Sequence, residues 1–157
     1  MSLEIYNMTD YDLSLIKDIL ISDYDDFWTY NILEDELKNS SSEYFVAKLD
    51  NNILGFAGIW KSVDDVHITD IVVKKSNRQS GIGSKLLEKL IQTAKNQHFS
   101  SITLEVNENN LPAINLYLKY GFKNVGFRKK YYKNKDSAII MTKDLWGKKE
   151  NKWKKMN

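Results

Sequence analysis

Arg78-Gln79-Ser80-Gly81-Ile82-Gly83 stands between an apolar run and an amphipathic stretch, and its reading decides how the rest of the chain is arranged. Upstream, Ile68 to Val73 reads as a buried strand. Downstream, Leu86, Leu87, Leu90, Ile91 and Ala94 recur at helical spacing. Glycines at the first turn of a helix let a ligand approach the backbone closely. The unbonded N–H groups of that turn and the positive end of the helix dipole suit an anion, most often a phosphate. Glycines serve equally where a chain needs only a tight turn, so the loop alone leaves both readings open.

Outward from this loop the chain alternates strands and helices. Leu3 to Met8 reads as a short strand. Thr9 followed by Asp12 resembles a capping box, and Leu13, Ile16 and Leu20 continue at helical spacing. Asp25 to Ser42 reads as a turn and a second helix, with Trp28, Ile32, Leu33 and Leu37 as its apolar residues. Tyr44 to Leu49 and Ile53 to Trp60 form a hairpin through Asp50-Asn51-Asn52. Val66 to Val73 is the next strand, and the helix after the glycine loop runs from about Gly81 to Asn96. Ile102 to Val106 is a strand, and Pro112 and Gly121 bracket a short helix in the favoured order. Phe122 to Tyr131 and Ser137 to Leu145 close the chain as an antiparallel pair. The order β-α-α-β-β-β-α-β-α-β-β predicts an α/β layer structure on a mixed sheet, not a doubly wound nucleotide fold.

Composition narrows the functional classes. A chain of 157 residues, 42% apolar and 28% charged, is expected to fold as one domain with a real core. No apolar stretch approaches a membrane span or a secretory h-region, so the expectation is a cytoplasmic protein without a membrane partner. The absence of cysteine excludes disulfides, thiol catalysis and thiolate metal sites. His67 and His98 fall on different predicted elements, and no metal site is expected. The net charge of +2 conceals a basic end: five lysines and one glutamate after Trp146 leave the remainder at −2. The expected division is therefore a folded domain over 1–145 and a basic tail over 146–157. Such a tail either meets an anionic partner such as RNA or is simply a solvated terminus. Nucleic-acid binding is not implied by it alone.

Three motifs in register resemble one family. The loop from Arg78 to Gly83 matches the acyl-CoA signature Gln/Arg-x-x-Gly-x-Gly/Ala of the GNAT acetyltransferase superfamily. Asn110-Leu111-Pro112-Ala113-Ile114-Asn115-Leu116-Tyr117, ending in Tyr120-Gly121-Phe122, looks like that family's N-x-x-A-x-x-L-Y-x-x-x-G-F helix. Leu104-Glu105-Val106 and Arg128-Lys129-Lys130-Tyr131-Tyr132 resemble the bacterial branch that acetylates the N-terminal alanine of a small-subunit ribosomal protein. The resemblance spans about residues 3 to 145. It implies a GNAT fold: a mixed, mostly antiparallel sheet of about seven strands flanked by about four helices. One departure is the absence of the proline that often precedes the glycine motif; Lys74-Lys75-Ser76-Asn77 has none.

By this resemblance the co-substrate is acetyl-CoA. Backbone N–H groups from Gln79, Ser80, Gly81, Ile82, Gly83 and Ser84 would cradle its pyrophosphate. Lys74, Lys75 and Arg78 either add charge there or form a solvated basic rim. The backbone of Ile71, Val72 and Val73 would pair with the pantetheine amides in the manner of an added strand. The Val73 N–H would polarise the thioester carbonyl. Asn110 matches a cofactor-binding residue and also suits a helix cap.

Acetyl transfer to an amine poses two proton problems. An amine must lose a proton to attack, and a carboxylate can take it directly or through a water. Glu105 alternates with Ile102, Leu104 and Val106 and so faces the other side of its strand. That pattern alone describes an outward charge; the family match makes Glu105 the expected general base. The departing thiolate needs a proton, and Tyr117 matches the family's general acid, although a helix carrying Leu116 and Tyr120 could equally use it as core. Trp28, Tyr131 and Tyr132 are the expected acceptor-binding residues, with Asp25, Asp26, Phe27, Tyr30 and Asp136 nearby in the sequence pattern; Trp28 and Tyr131 could equally fill core. The expected partner is a protein N-terminus, and the branch resemblance implies a ribosomal one. A small amine (polyamine, amino acid or aminoglycoside) is the alternative acceptor, and a non-catalytic acyl-CoA-binding module the third reading.

Overall fold

The Asp50-Asn51 turn shows how local chemistry fixes register. Both residues adopt left-handed backbone, with φ of 51° and 70°. That geometry matches the twist of a two-residue hairpin. It joins β2 (Ser42–Leu49) to β3 (Asn52–Lys61), with Leu49 opposite Asn52 and Tyr44 opposite Gly58. The computed structural model describes residues 2–24, 29–129, 131 and 135–146. Its elements follow the expected order: β1 (Glu4–Asn7), α1 (Asp10–Ile16), α2 (Tyr30–Lys38), β2, β3, β4 (Asp65–Val73), α3 (Ile82–Asn96), β5 (Ser101–Asn107), α4 (Leu111–Lys119), β6 (Lys123–Arg128) and β7 (Ala138–Asp144). The seven strands lie in the order β1-β2-β3-β4-β5-β7-β6. Four α-helices among the described residues and a mixed, mostly antiparallel sheet make this the expected fold. No described helix is long and apolar enough to cross a membrane.

The chain divides into two units, Met1–Lys61 with Ile68–Gln92 and Ser62–His67 with Thr93–Asn157. In the first, β1 and β2 pair antiparallel, and Thr9 and Asp12 form the reciprocal capping box that starts α1. Its core joins Leu13, Ile16, Leu20, Tyr24 and Leu33 to Val46, Phe56 and Val72. Full burial of an aliphatic or Phe side chain is worth roughly 1.5–3 kcal/mol, so these residues hold α1 and α2 to the sheet. Tyr24 is buried with its hydroxyl donating to the Ile53 carbonyl at 2.7 Å, and burial pushes its pKa up to about 12. Tyr44 lies flat against β3; a Cβ at Gly58 would come within 2.3 Å of its ring, so only glycine fits opposite it.

Two apolar expectations differ in detail. Ile32 is 37% exposed while Leu33 is buried, because α2 presents one narrow face to the core. Ile68 and Val72 are buried, but Thr69 is exposed and Ile71 only partly covered, so Ile68 to Val73 is a half-buried rather than a buried strand. Thr69 reaches the Tyr44 hydroxyl at 2.8 Å, which accounts for the polar residues within that run.

In the second unit, β4 and β5 pair in parallel over Asp65–His67, and β7 pairs antiparallel with both β5 and β6. Ile102, Leu104, Val106, Phe122, Ala138, Met141 and Leu145 are its buried apolar residues. Trp146 closes the described chain, its indole N–H donating to the Phe99 carbonyl at 2.9 Å and its ring stacked on His98. The rest of the expected basic tail, 147–157, lies outside the described residues.

Candidate active site

In the first unit, β4 ends at Val73 and a short 3₁₀ turn, Lys75–Asn77, leads into the glycine loop. Gln79 and Gly81 both take left-handed backbone, with φ of 65° and 86°. Gly81 therefore cannot be helical, and α3 begins one residue later than its periodicity suggests, at Ile82. Ser80 Oγ donates to the Asn77 carbonyl, and Lys85 N–H donates to the Gly81 carbonyl at 3.2 Å. The N–H groups of the preceding first-turn residues, Ile82, Gly83 and Ser84, have no intrahelical acceptor.

Space at this helix end is the structure's own test of whether a phosphate group fits. A Cβ at Gly81 would meet nothing within 4 Å, and one at Gly83 would touch only Val73 Cγ2 at 3.9 Å. No packing against protein explains glycine at 83. Open space over three donors at a positive helix end is what a pyrophosphate requires.

Backbone direction along β4 separates the three expected strand residues. The Val72 carbonyl points toward Gly55 on β3, and the Lys74 N–H donates to the β3 carbonyl of Leu54 at 2.8 Å. Alternation then turns the N–H and C=O groups of Ile71 and Val73 to the opposite edge. There the Ile71 N–H donates to Asp70 Oδ1 at 2.8 Å, and Val73 supplies the other N–H. Arg78 is folded onto backbone: its Nη2 donates to the Tyr24 carbonyl at 3.0 Å and its Nε to the Val73 carbonyl at 3.3 Å. It thus ties the loop to the strand end and to the turn after α1. Nothing in the sequence pattern signals that role, because Tyr24 lies 54 residues away.

The second unit carries the proton-handling candidates. Along β5, Ile102, Leu104 and Val106 are buried while Glu105 faces the other side, 26% exposed. Arg128 Nε lies 2.9 Å from Glu105 Oε1. The guanidinium carbon of Arg128 in turn sits 5.6 Å from the ring centroid of Tyr131. Arg128 is the residue that motif reading missed. It lies in the Arg128-to-Tyr132 motif, but its partner stands two strands away across β7. The end of β5 is pinned by Asn107 Nδ2, which donates to Asp136 Oδ2 at 3.1 Å, and by paired contacts between Glu108 and Ser137.

Asn110 caps α4, its Oδ1 accepting from the Ala113 N–H at 3.3 Å, which leaves its Nδ2 as the donor for any ligand. Tyr117 is partly buried on α4, its ring tilted against Phe122 at 5.7 Å. Tyr131 is exposed rather than a core residue. Trp28, Tyr132, Asp25, Asp26 and Phe27 lie outside the described residues.

Residues 9–122 match the Acetyltransferase (GNAT) family. A Bacillus subtilis protein assigned as a ribosomal protein bS18-alanine N-acetyltransferase is 34% identical over 137 residues, 86% of this chain and 91% of that one. An N-alpha-acetyltransferase of Saccharolobus solfataricus is 33% identical over 131 residues, 75% of this chain and 78% of that one. The crystal structure of the Escherichia coli ribosomal-protein-S18-alanine N-acetyltransferase superposes with a TM-score of 0.83, at 24% identity, over 92% of this chain and 94% of that one. At that identity the last comparison speaks for the fold.

Proposed function

We propose a function from one premise: the chain belongs to the acetyltransferase (GNAT) family. It is an acetyl-CoA-dependent N-acetyltransferase. The finer reading is that its acceptor is the N-terminal α-amino group of a protein, first of all the N-terminal alanine of a ribosomal protein. One observation supports this reading, the likeness over most of both chains to a protein assigned as a bS18-alanine N-acetyltransferase. Chemistry agrees with it. An α-amine with pKa near ~7.7–8.0 is partly neutral at pH 7, whereas a lysine near ~10.4 is almost wholly charged. A single carboxylate can complete the deprotonation of the first far more readily than of the second.

Bound acetyl-CoA supplies an activated acetyl group as a thioester. The first-turn N–H groups at Ile82 to Ser84, with the Gln79-to-Gly81 loop, hold its phosphates, and the edge of β4 at Ile71 and Val73, but not Val72, holds its arm. Asn110 adds its side-chain amide. Glu105 takes the acceptor's proton, and the Tyr117 phenol, an O–H donor, gives one to the departing sulfur. With no cysteine in the chain, transfer is direct rather than through a thiol acyl-enzyme. Tyr131, with Trp28 and Tyr132, contacts the acceptor.

The test is acetylation of a panel of N-terminal peptides and small amines, with mass spectrometry locating the label. The expected product carries acetyl on the α-nitrogen of an alanine-initiated peptide. Acetylation of polyamines, amino acids or aminoglycosides without any peptide product would transfer the chain to the small-amine class.

A further inference from the structure

The contact between Glu105 and Arg128 has a shape that a chance surface pair does not need. Arg128 comes from β6 and Glu105 from β5, and β7 lies between them. The gap across two strand spacings is about 9–10 Å, which only two long side chains can close. Register brings them to one face: Glu105 is opposite Ile140, Ile140 is opposite Gly126, and Arg128 stands two residues beyond Gly126. Arg128 engages Oε1 through Nε, and its guanidinium rests over Tyr131. The pair is therefore one link of a chain of three side chains, from the strand that bears the carboxylate to the segment that follows β6.

We propose that Arg128 is a positioning residue for the reaction: by holding Oε1 of Glu105 it fixes the plane of the carboxylate that takes the acceptor's proton. The inference rests on the reading of Glu105 as the base. A glutamate's terminal torsion is broad and roughly two-fold, so an unheld carboxylate samples many orientations. Proton transfer needs the acceptor oxygen within hydrogen-bond reach of the amine or of one intervening water. A misplacement of about 1 Å costs on the order of a hundredfold in rate. Stability gives Arg128 little reason to be there, since its side chain is 59% exposed and pairs of that kind contribute little to folding. Seating the guanidinium on Tyr131 restricts it in turn and links the base to a residue assigned to the acceptor.

Steady-state kinetics on the full chain test this, using whichever acceptor the panel selects, so that a wrong acceptor class is seen separately in the panel and leaves the Arg128 comparison intact. Arg128→Ala is expected to lower kcat about tenfold or more, with KM for acetyl-CoA and for the acceptor within about twofold. Its melting midpoint is expected within about 3 °C of wild type. Arg128→Lys, which keeps the charge but not the planar fork, should recover part of the loss. A kcat for Arg128→Ala within threefold of wild type overturns the inference. So does a loss that falls wholly on KM for the acceptor, which would make Arg128 a binding group. If the alanine variant does not fold, the lysine variant decides: kcat below half of wild type at unchanged KM supports the inference, and wild-type kcat overturns it. Glu105→Gln, run alongside, marks the other failure, because wild-type turnover by that variant removes the base and the positioning role with it.

Discussion

Asp12 in the first unit and Glu105 in the second each stand beside a cation, 2.5 Å from Lys48 Nζ and 2.9 Å from Arg128 Nε. Their surroundings differ in every other respect. Asp12 is 2% exposed, and both oxygens are committed: Oδ1 to Lys48 and Oδ2 to the Thr9 N–H at 2.9 Å. Burial acts to raise its pKa, but Lys48 and the Thr9 cap together outweigh that and hold the carboxyl below its ordinary value. Glu105 is held through Oε1 by a cation that is itself largely exposed, and it remains partly open to solvent. A buried carboxylate with both oxygens held is a structural group. One that is partly open to solvent, beside a cation that restrains it, can be reached by an acceptor or a water. The ion pair alone therefore says little about role; access to the carboxylate says more.

That contrast can be broken experimentally. The largest expected effect is at Glu105: replacement by glutamine should lower kcat by about a hundredfold or more, within the range for loss of a general base, while the dissociation constant for acetyl-CoA stays within a few-fold. Rapid-quench or steady-state rates at neutral pH read this directly, and wild-type kcat would place Glu105 with Asp12 among the structural carboxylates. An intermediate effect is expected at Gly81, where the chemistry lies in the backbone. Valine at a φ of 86° is strained, so Gly81→Val should weaken acetyl-CoA binding about tenfold by calorimetry, equivalent to about 1.4 kcal/mol. Unchanged affinity would remove the loop from the cofactor site. The smallest expected effect belongs to Asp12→Asn: a loss of about 1 kcal/mol in urea unfolding at pH 7, with kcat unchanged. Because the Asp12 pKa is lowered in the folded chain, its stabilisation is present above the unfolded value of about 3.9 and is lost as pH falls through the folded one. The wild-type advantage over Asp12→Asn should therefore shrink below about pH 4, and an advantage that grows there would refute the assignment.

Much of this arrangement is legible locally. The Asp50-Asn51 hairpin, the Thr9–Asp12 capping box and the outward face of Glu105 all follow from residues within a few positions of one another. The exposure of Ile32 and the half-buried course of Ile68 to Val73 do not, because they depend on what packs opposite. The same limit applies to the loop: glycine at 81 and 83 signals freedom for the backbone, but the open space above both is a property of the surrounding structure.

By itself the sequence determined the order and faces of the elements and the three motifs that mark the family, because periodicity, caps and turns are local properties of the chain. Only the tertiary structure decided which groups meet. Placing β7 between β5 and β6 brings Arg128 to Glu105, and the edge of β4 separates the Ile71 N–H, held by Asp70, from that of Val73. Such pairings join residues up to tens of positions apart, and their partners are set by strand order and register, which no local pattern contains.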